Sequence, residues 1–293
     1  MEIAPNGKYA YIANRGAGVV TVFDTTRYAI TATIPVPEGG PQFIAFSPDG
    51  SKAYASVFNN ERTVNVVDVI DTASQKVTAS IPVGIRPFAL RLTADGKRAY
   101  VPNHDSGSIS VIDTTTNTVV NTIAVAPNPH WVDISADGTR LYAANHESNV
   151  ITAIELPSEK VLATVPVGTS PHSIVAHPKK PLVINVNYDS NTISVIDTTT
   201  LGVVATVPTG NHPQDLTLSA DGRFAYVVNV DDNSIQVFDT QTFEIRSSVG
   251  GGPQPHQHRG DARRTAGLRH QPRRRHRDGP EPGQHRLTGC RSR

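Results

Sequence analysis

His130 and His172 each follow a proline, and His104 and His146 each follow an asparagine; the two pairs share one spacing. His212 precedes a proline one step further along, and His256 follows the next. Imidazole is a common ligand for Cu, Zn or Ni, and it titrates near neutrality. A cluster of such side chains could hold a divalent transition metal. Alternatively, His130 or His172 could act as ligand or general base in a metal-assisted hydrolase or lyase. Gln42, Gln214, Arg15, Arg86, Tyr188 and Trp131 stand at or beside equivalent repeat positions. They could complete a cup that binds a small molecule, peptide or glycan by stacking and hydrogen bonding. A purely structural reading stands beside these: a histidine after a proline can bond to a neighbouring repeat and recur because the repeat was duplicated.

The elements that must position these residues follow from the period. Pro87, Pro129, Pro171, Pro213 and Pro255 recur at a constant step of about 42 residues, as do Asn103, Asn145, Asn187 and Asn229. Within a unit the alternation has period 2 with many β-branched residues, as in Thr192-Ile-Ser-Val-Ile196, which predicts strands. Asp-Gly at 49–50, 95–96, 137–138 and 221–222, and Asn-Gly at 6–7, predict tight type I′ hairpins. Asp-Thr-Thr at 113–115 and 197–199 predicts a second turn closed by side-chain-to-backbone bonds. Each unit is therefore four strands, A to D, with no helix longer than a turn.

A four-stranded repeat of this length is the signature of a propeller blade, because one blade cannot bury both faces alone. The expected fold is an all-β, seven-bladed β-propeller over residues 1–252, with its first strand clipped and its last blade disrupted. In such a fold the residues after the repeat Pro and after the repeat Asn meet at one mouth of the central channel. Six of the seven His in residues 1–256 map there, leaving His177 elsewhere. No Glu occupies these rim positions, and Asp133 and Asp215 are the nearest acids on strand A. Asp105-Ser-Gly107, Asp189-Ser-Asn191 and Asp231-Asp-Asn233 lack the full ligand spacing of a calcium loop and predict plain turns.

Tyr11-Ile-Ala-Asn14, Tyr100-Val-Pro-Asn103, Tyr142-Ala-Ala-Asn145 and Tyr226-Val-Val-Asn229, with Ser-Pro-Asp-Gly at 47–50 and Ile-Pro-Val-Gly at 81–84, resemble the YVTN family of β-propeller repeats. The resemblance spans about residues 3–252. It implies a secreted, surface-associated or periplasmic binding scaffold. In position alone the histidines also resemble the His-ligated copper propeller of nitrous oxide reductase. Propeller lactonases, which work at the same mouth, commonly add acidic ligands. In the unit of residues 171–212, Ile184 replaces the Tyr and Lys179-Lys180 the Asp-Gly, so its A–B turn departs from the pattern.

Charge divides the chain sharply. Residues 1–252 carry 16 basic and 23 acidic side chains, a net −7; residues 253–293 carry 11 Arg against 3 acids, a net +8. This basic segment opens as a seventh strand A at Pro253-Gln-Pro255-His256 and then abandons the repeat. Possible codons from Gln257 onward, read one nucleotide later, permit a Ser-Ile-Ala-Val-Thr-Pro-Asp-Gly run. They then permit Val-Tyr-Val-Thr-Asn from Gly267 to Pro272. The tail is therefore expected to be a frameshift product. Its Arg273-Arg-Arg-His-Arg277 run is not expected to mark a nucleic-acid partner. The start, Met1-Glu2-Ile3-Ala4-Pro5, has no signal-peptide pattern, and the natural start is expected upstream. Cys290 is the sole cysteine, which excludes an internal disulfide, and no apolar run is long enough to span a membrane.

Overall fold

A computed structural model describes residues 1–37 and 39–250. The chain divides into two units, Met1–Gln254 and Pro255–Arg293. The second unit, with His256 and the seventh strand A expected there, lies outside the described residues. The first is all-β: six four-stranded antiparallel sheets in strictly sequential order, the arrangement of propeller blades. Blade 4 is representative, with strands Pro129–Ile134, Arg140–Asn145, Val150–Glu155 and Lys160–Pro166. Blade 1 begins at Glu2–Ile3 and ends at Ala29–Pro35; blade 6 begins at Pro213–Leu218 and ends at Glu244–Gly250. The only helical segments described are three single 3-10 turns. No helix among the described residues is long and apolar enough to cross a membrane.

Each interface between successive blades is a separate apolar layer. Tyr11, Tyr54, Tyr100 and Tyr142 of strands B fill four of these layers and are at most 2 % exposed. Tyr226, the equivalent in blade 6, is 40 % exposed. Ile235 and Val249 on the same blade are exposed as well, whereas their repeat equivalents Ile151 and Val165 in blade 4 are buried. Among the described residues, no blade covers this face of blade 6.

The A–B hairpins differ from the type I′ expectation. Only the glycine has positive φ (+71° at Gly50 and Gly138), while the preceding aspartate does not. Gly138 N–H donates to Ser135 O at 2.8 Å, closing a type I turn that a left-handed glycine then leaves. Type I′ would need both central residues at positive φ. The aspartate instead keeps negative φ and serves as an acceptor: Asp137 Oδ1 takes bonds from Ser135 Oγ (2.6 Å) and Thr139 N–H (3.0 Å). The odd hairpin of blade 5 does form. His177 is buried there, and its Nδ1 accepts the N–H groups of Lys179 (3.0 Å) and Lys180 (2.9 Å), replacing the missing carboxylate. The Asp-Thr-Thr turns form as expected, with Asp197 Oδ1 accepting from Thr199 and Thr200 N–H at 2.7 and 2.9 Å.

Candidate functional site at the channel mouth

In five of the six blades strand B ends at the repeat Asn, and a sharp turn follows. Asn103, Asn145, Asn187 and Asn229 are fully buried and bind across to strand C or to the preceding connection. Asn103 Nδ2 donates to Ser110 Oγ at 2.9 Å, and Asn187 Nδ2 to Ser194 Oγ at 2.9 Å. Gly84 must stay side-chain-free, since a Cβ there would meet the Asn103 amide at 2.6 Å. With the Asn anchored, the next residue starts a 3-10 turn: Arg15–Ala17, His104–Ser106 and His146–Ser148. The residue before the repeat Pro is held from the neighbouring blade. Asn65, Asn149 and Asn191 accept the backbone N–H of Arg86, Ser170 and His212 at 2.8–2.9 Å. All of these residues except Asn65 have positive φ. Rim side chains are thus placed by a turn on one side and by the adjacent blade on the other.

The outcome is a continuous belt of eight rings across five blades. Its order is Phe58, Phe88, His104, His130, His146, His172, Tyr188, His212. Phe58 and Phe88 meet edge-on at 5.3 Å between centroids, and Phe88 and His130 lie tilted at 4.1 Å. His130 lies 4.2 Å from His172 and 5.7 Å from His146. His104 lies 6.0 Å from His130, and Tyr188 stacks on His212 at 4.4 Å. Arg15 and Arg86 set their guanidinium carbons 5.0 and 5.4 Å from the Phe58 centroid, within cation–π range. Arg15, Phe58, Asn59, Asn60, Arg62 and Arg86 line a shallow cleft at that end.

The histidines divide by environment. His130 is held well below its usual pKa by burial, then by His172, His146 and His104. His172 is pulled down to about 4 by burial and His146, against a backbone hydrogen bond at Gln214. His146 is lowered by burial and by His104, against Glu147 and Asp189. These rings are neutral at pH 7. The backbone bonds of His130 at His172 and of His172 at Gln214 run to the following blade, the pattern a structural role requires. Nδ1 of both is buried without a partner. His104 differs: its Nδ1 lies 2.7 Å from Asp105 Oδ1, and Asp105 also receives Arg86 (3.1 Å) and Arg62 (2.9 Å). Burial pushes the Asp105 carboxyl up, but His104 and the two arginines outweigh it and hold it below the usual range. His212 pairs with Asp231 at 2.5 Å.

Donor atoms of His104, His146 and Glu147 lie within 4.8 Å of one another, the one such group among the described residues. His130 and His172 neighbour this group, His212 sits at the far end of the belt, and His256 lies outside the described residues. Gln42 donates to Gly40 O at 2.8 Å, folding onto its own strand. Trp131 packs edge-on to Phe43 at 4.8 Å, across blade 3, rather than joining the belt. Asp133 is tied to Arg91 (2.7 Å) and to Ala176 N–H (2.8 Å), and Asp215 accepts from Ser173 Oγ at 3.0 Å. Glu147 and Phe58 escaped the sequence reading. Phe58 stands where the other blades carry the residue after Asn, but Val57 replaces that Asn. The step from Pro41 to Val57 equals the step from Pro129 to Asn145, and that count would have found it.

Comparison with known proteins places the architecture. A family model described as YNCE-like beta-propeller matches residues 83–182. The fold superposes on a chain of the Kuenenia stuttgartiensis hydrazine synthase with a TM-score of 0.77 and 21 % identity, covering 87 % of this chain and 86 % of that one. The chain is a β-propeller. The YVTN-type repeat motifs agree with both matches. No curated protein matches the sequence. At this identity the structural likeness speaks for the propeller alone, and the chemistry of the mouth must be argued from its own residues.

Proposed function

We propose that this propeller is a binding scaffold at the cell surface or in the periplasm, and that it takes a small ligand at the channel mouth. The observation that carries the reading is the unbroken ring belt from Phe58 to His212, flanked by Arg15 and Arg86. Phe88, Tyr188 and the neutral imidazoles of His130, His146 and His172 are part-exposed and offer stacking faces at low entropic cost, with Phe58 buried behind Phe88. The arginine end adds donors for a carboxylate or phosphate. A planar ligand bearing one anionic group, or a peptide ending in an aromatic acid, fits both features. Location outside the cytoplasm rests on the YVTN-type repeat motifs.

The test is a thermal-shift and calorimetric screen of aromatic carboxylates, aromatic amines, aliphatic acids and glycans. Binding of aromatic carboxylates, weakened at least tenfold by Phe88→Ala and by Arg86→Ala, is the expected result. Equal binding of aliphatic acids and no effect of Phe88→Ala would overturn the stacking role of the belt.

A further inference from the structure

We propose that His104, His146 and Glu147 form a site for one divalent transition-metal ion of the zinc type, shared between blades 3 and 4. The first argument is geometric. Three donors within 4.8 Å of one another are close to what one ion requires. Tetrahedral zinc at about 2.0–2.2 Å from each ligand draws its donors to about 3.4 Å. The remaining closure is small, and the exposed Glu147 side chain can supply it by rotation.

The second argument is the donor set. Two imidazoles and one carboxylate make the His₂Glu combination that suits zinc and leaves a fourth position open to water or ligand. The third is the surroundings of His104. Asp105 engages its Nδ1, so Nε2 is the nitrogen left to coordinate. A carboxylate behind a ligating imidazole fixes ring orientation and raises ligand basicity. Asp105 is itself fixed by Arg62 and Arg86, so it is rigidly placed for that task. The repeat makes the division of labour visible. Asp105 and Glu147 occupy the same position in successive units, yet one turns back on its own histidine while the other lies with the two imidazoles.

The site goes beyond the ring-belt reading and stands without any organic ligand. The experiment uses the full chain, stripped with chelator and titrated with Zn²⁺ by calorimetry and with Co²⁺ by visible absorption. One equivalent should bind, with d–d bands of a low-coordinate Co²⁺ site. His146→Ala and Glu147→Gln should each weaken binding at least tenfold. Glu147 is exposed, so its variant keeps the fold even if His146→Ala does not. Undiminished affinity in Glu147→Gln would place the metal on other histidines, of the rim or of residues 253–293, and overturn the proposal. No binding by the parent chain would also overturn it. The ring-belt screen is run in chelator, so the failure of either idea leaves the other standing.

Discussion

The His104 Nδ1 lies 2.7 Å from Asp105 Oδ1, which Arg86 shares at 3.1 Å, while Arg62 holds Oδ2 at 2.9 Å. In the proposed metal site these neighbours in sequence are a ligand and its support. Replacing Asp105 by Ala frees the imidazole to rotate without touching His146 or Glu147. Loss of such a support typically costs about 10- to 100-fold in metal affinity. Zn²⁺ affinity should fall by that range, and the Co²⁺ absorption should broaden, which a simple loss of packing would not produce. An unchanged titration would deny Asp105 a positioning role.

The rim also depends on Asn149, whose Oδ1 accepts Ser170 N–H from the next blade at 2.9 Å. Asn149 has φ +57°, which glycine adopts freely and most side chains do not. Asn149→Gly keeps the backbone and removes only the acceptor, so it should cost about 1 kcal/mol. Asn149→Val adds β-branched strain at positive φ and should cost more than the Gly variant by about 1–2 kcal/mol. Urea midpoints of the two variants check the ordering.

Acid stability should follow the hairpin carboxylates. Asp137 is pulled down to about 2, chiefly by Ser135 Oγ and then Thr139 N–H, and Asp49 to about 2, chiefly by Ser47 Oγ and then Ser51 N–H. A carboxylate whose folded pKa lies below its unfolded value binds fewer protons in the fold. Its contribution is complete above the unfolded value of about 4 and is lost as pH falls through about 2. Thermal midpoints should therefore decline between about pH 4 and 2, and less steeply in Asp49→Asn/Asp137→Asn. A parallel decline in that double variant would show that these turns do not govern the transition.

The uncovered face of blade 6 makes a prediction of its own. Tyr226 is 40 % exposed where Tyr142 is 1 % exposed, and Ile235 and Val249 stand open beside it. Contiguous apolar surface of this kind promotes self-association. Sedimentation should show concentration-dependent association, suppressed by Ile235→Thr with Val249→Lys. Replacing residues 253–293 by a seventh copy of the repeat unit should bury the same face, abolish association and raise the melting temperature.

The blades were legible because a constant repeat step and a period of 2 are both linear properties of the chain. The gathering of His104, His130, His146 and His172 was legible for the same reason. Turn type was not. Asp-Gly is compatible with type I′, but a carboxylate that caps Ser135 Oγ and Thr139 N–H favours the type I form observed. Glu147 was hidden because a 3-10 turn, His146–Ser148, curls the chain after the Asn and places the following residue beside an imidazole of another blade. The sequence offers Trp131 as a stacking residue, yet alternation along strand A carries it away from His130 and onto Phe43. A structural role for His130 and His172 agrees with their backbone bonds to the following blade.

Blades are also tied by cations that reach a carbonyl one blade ahead: Lys52 to Thr114 O at 3.3 Å, Arg140 to Thr198 O, and Lys180 to Thr240 O at 3.2 Å. Every such tie, like every apolar layer, joins a blade only to its neighbour. Cooperativity in this molecule is therefore a linear relay, and a relay frays from whichever end has one neighbour instead of two. Amide exchange should be fastest in the end blades 1 and 6 and slowest in blades 3 and 4, where His104, His130 and His146 lie. The proposed metal ligands His104, His146 and Glu147 then occupy the stretch that opens last, so partial loss of an outer blade would leave them in place.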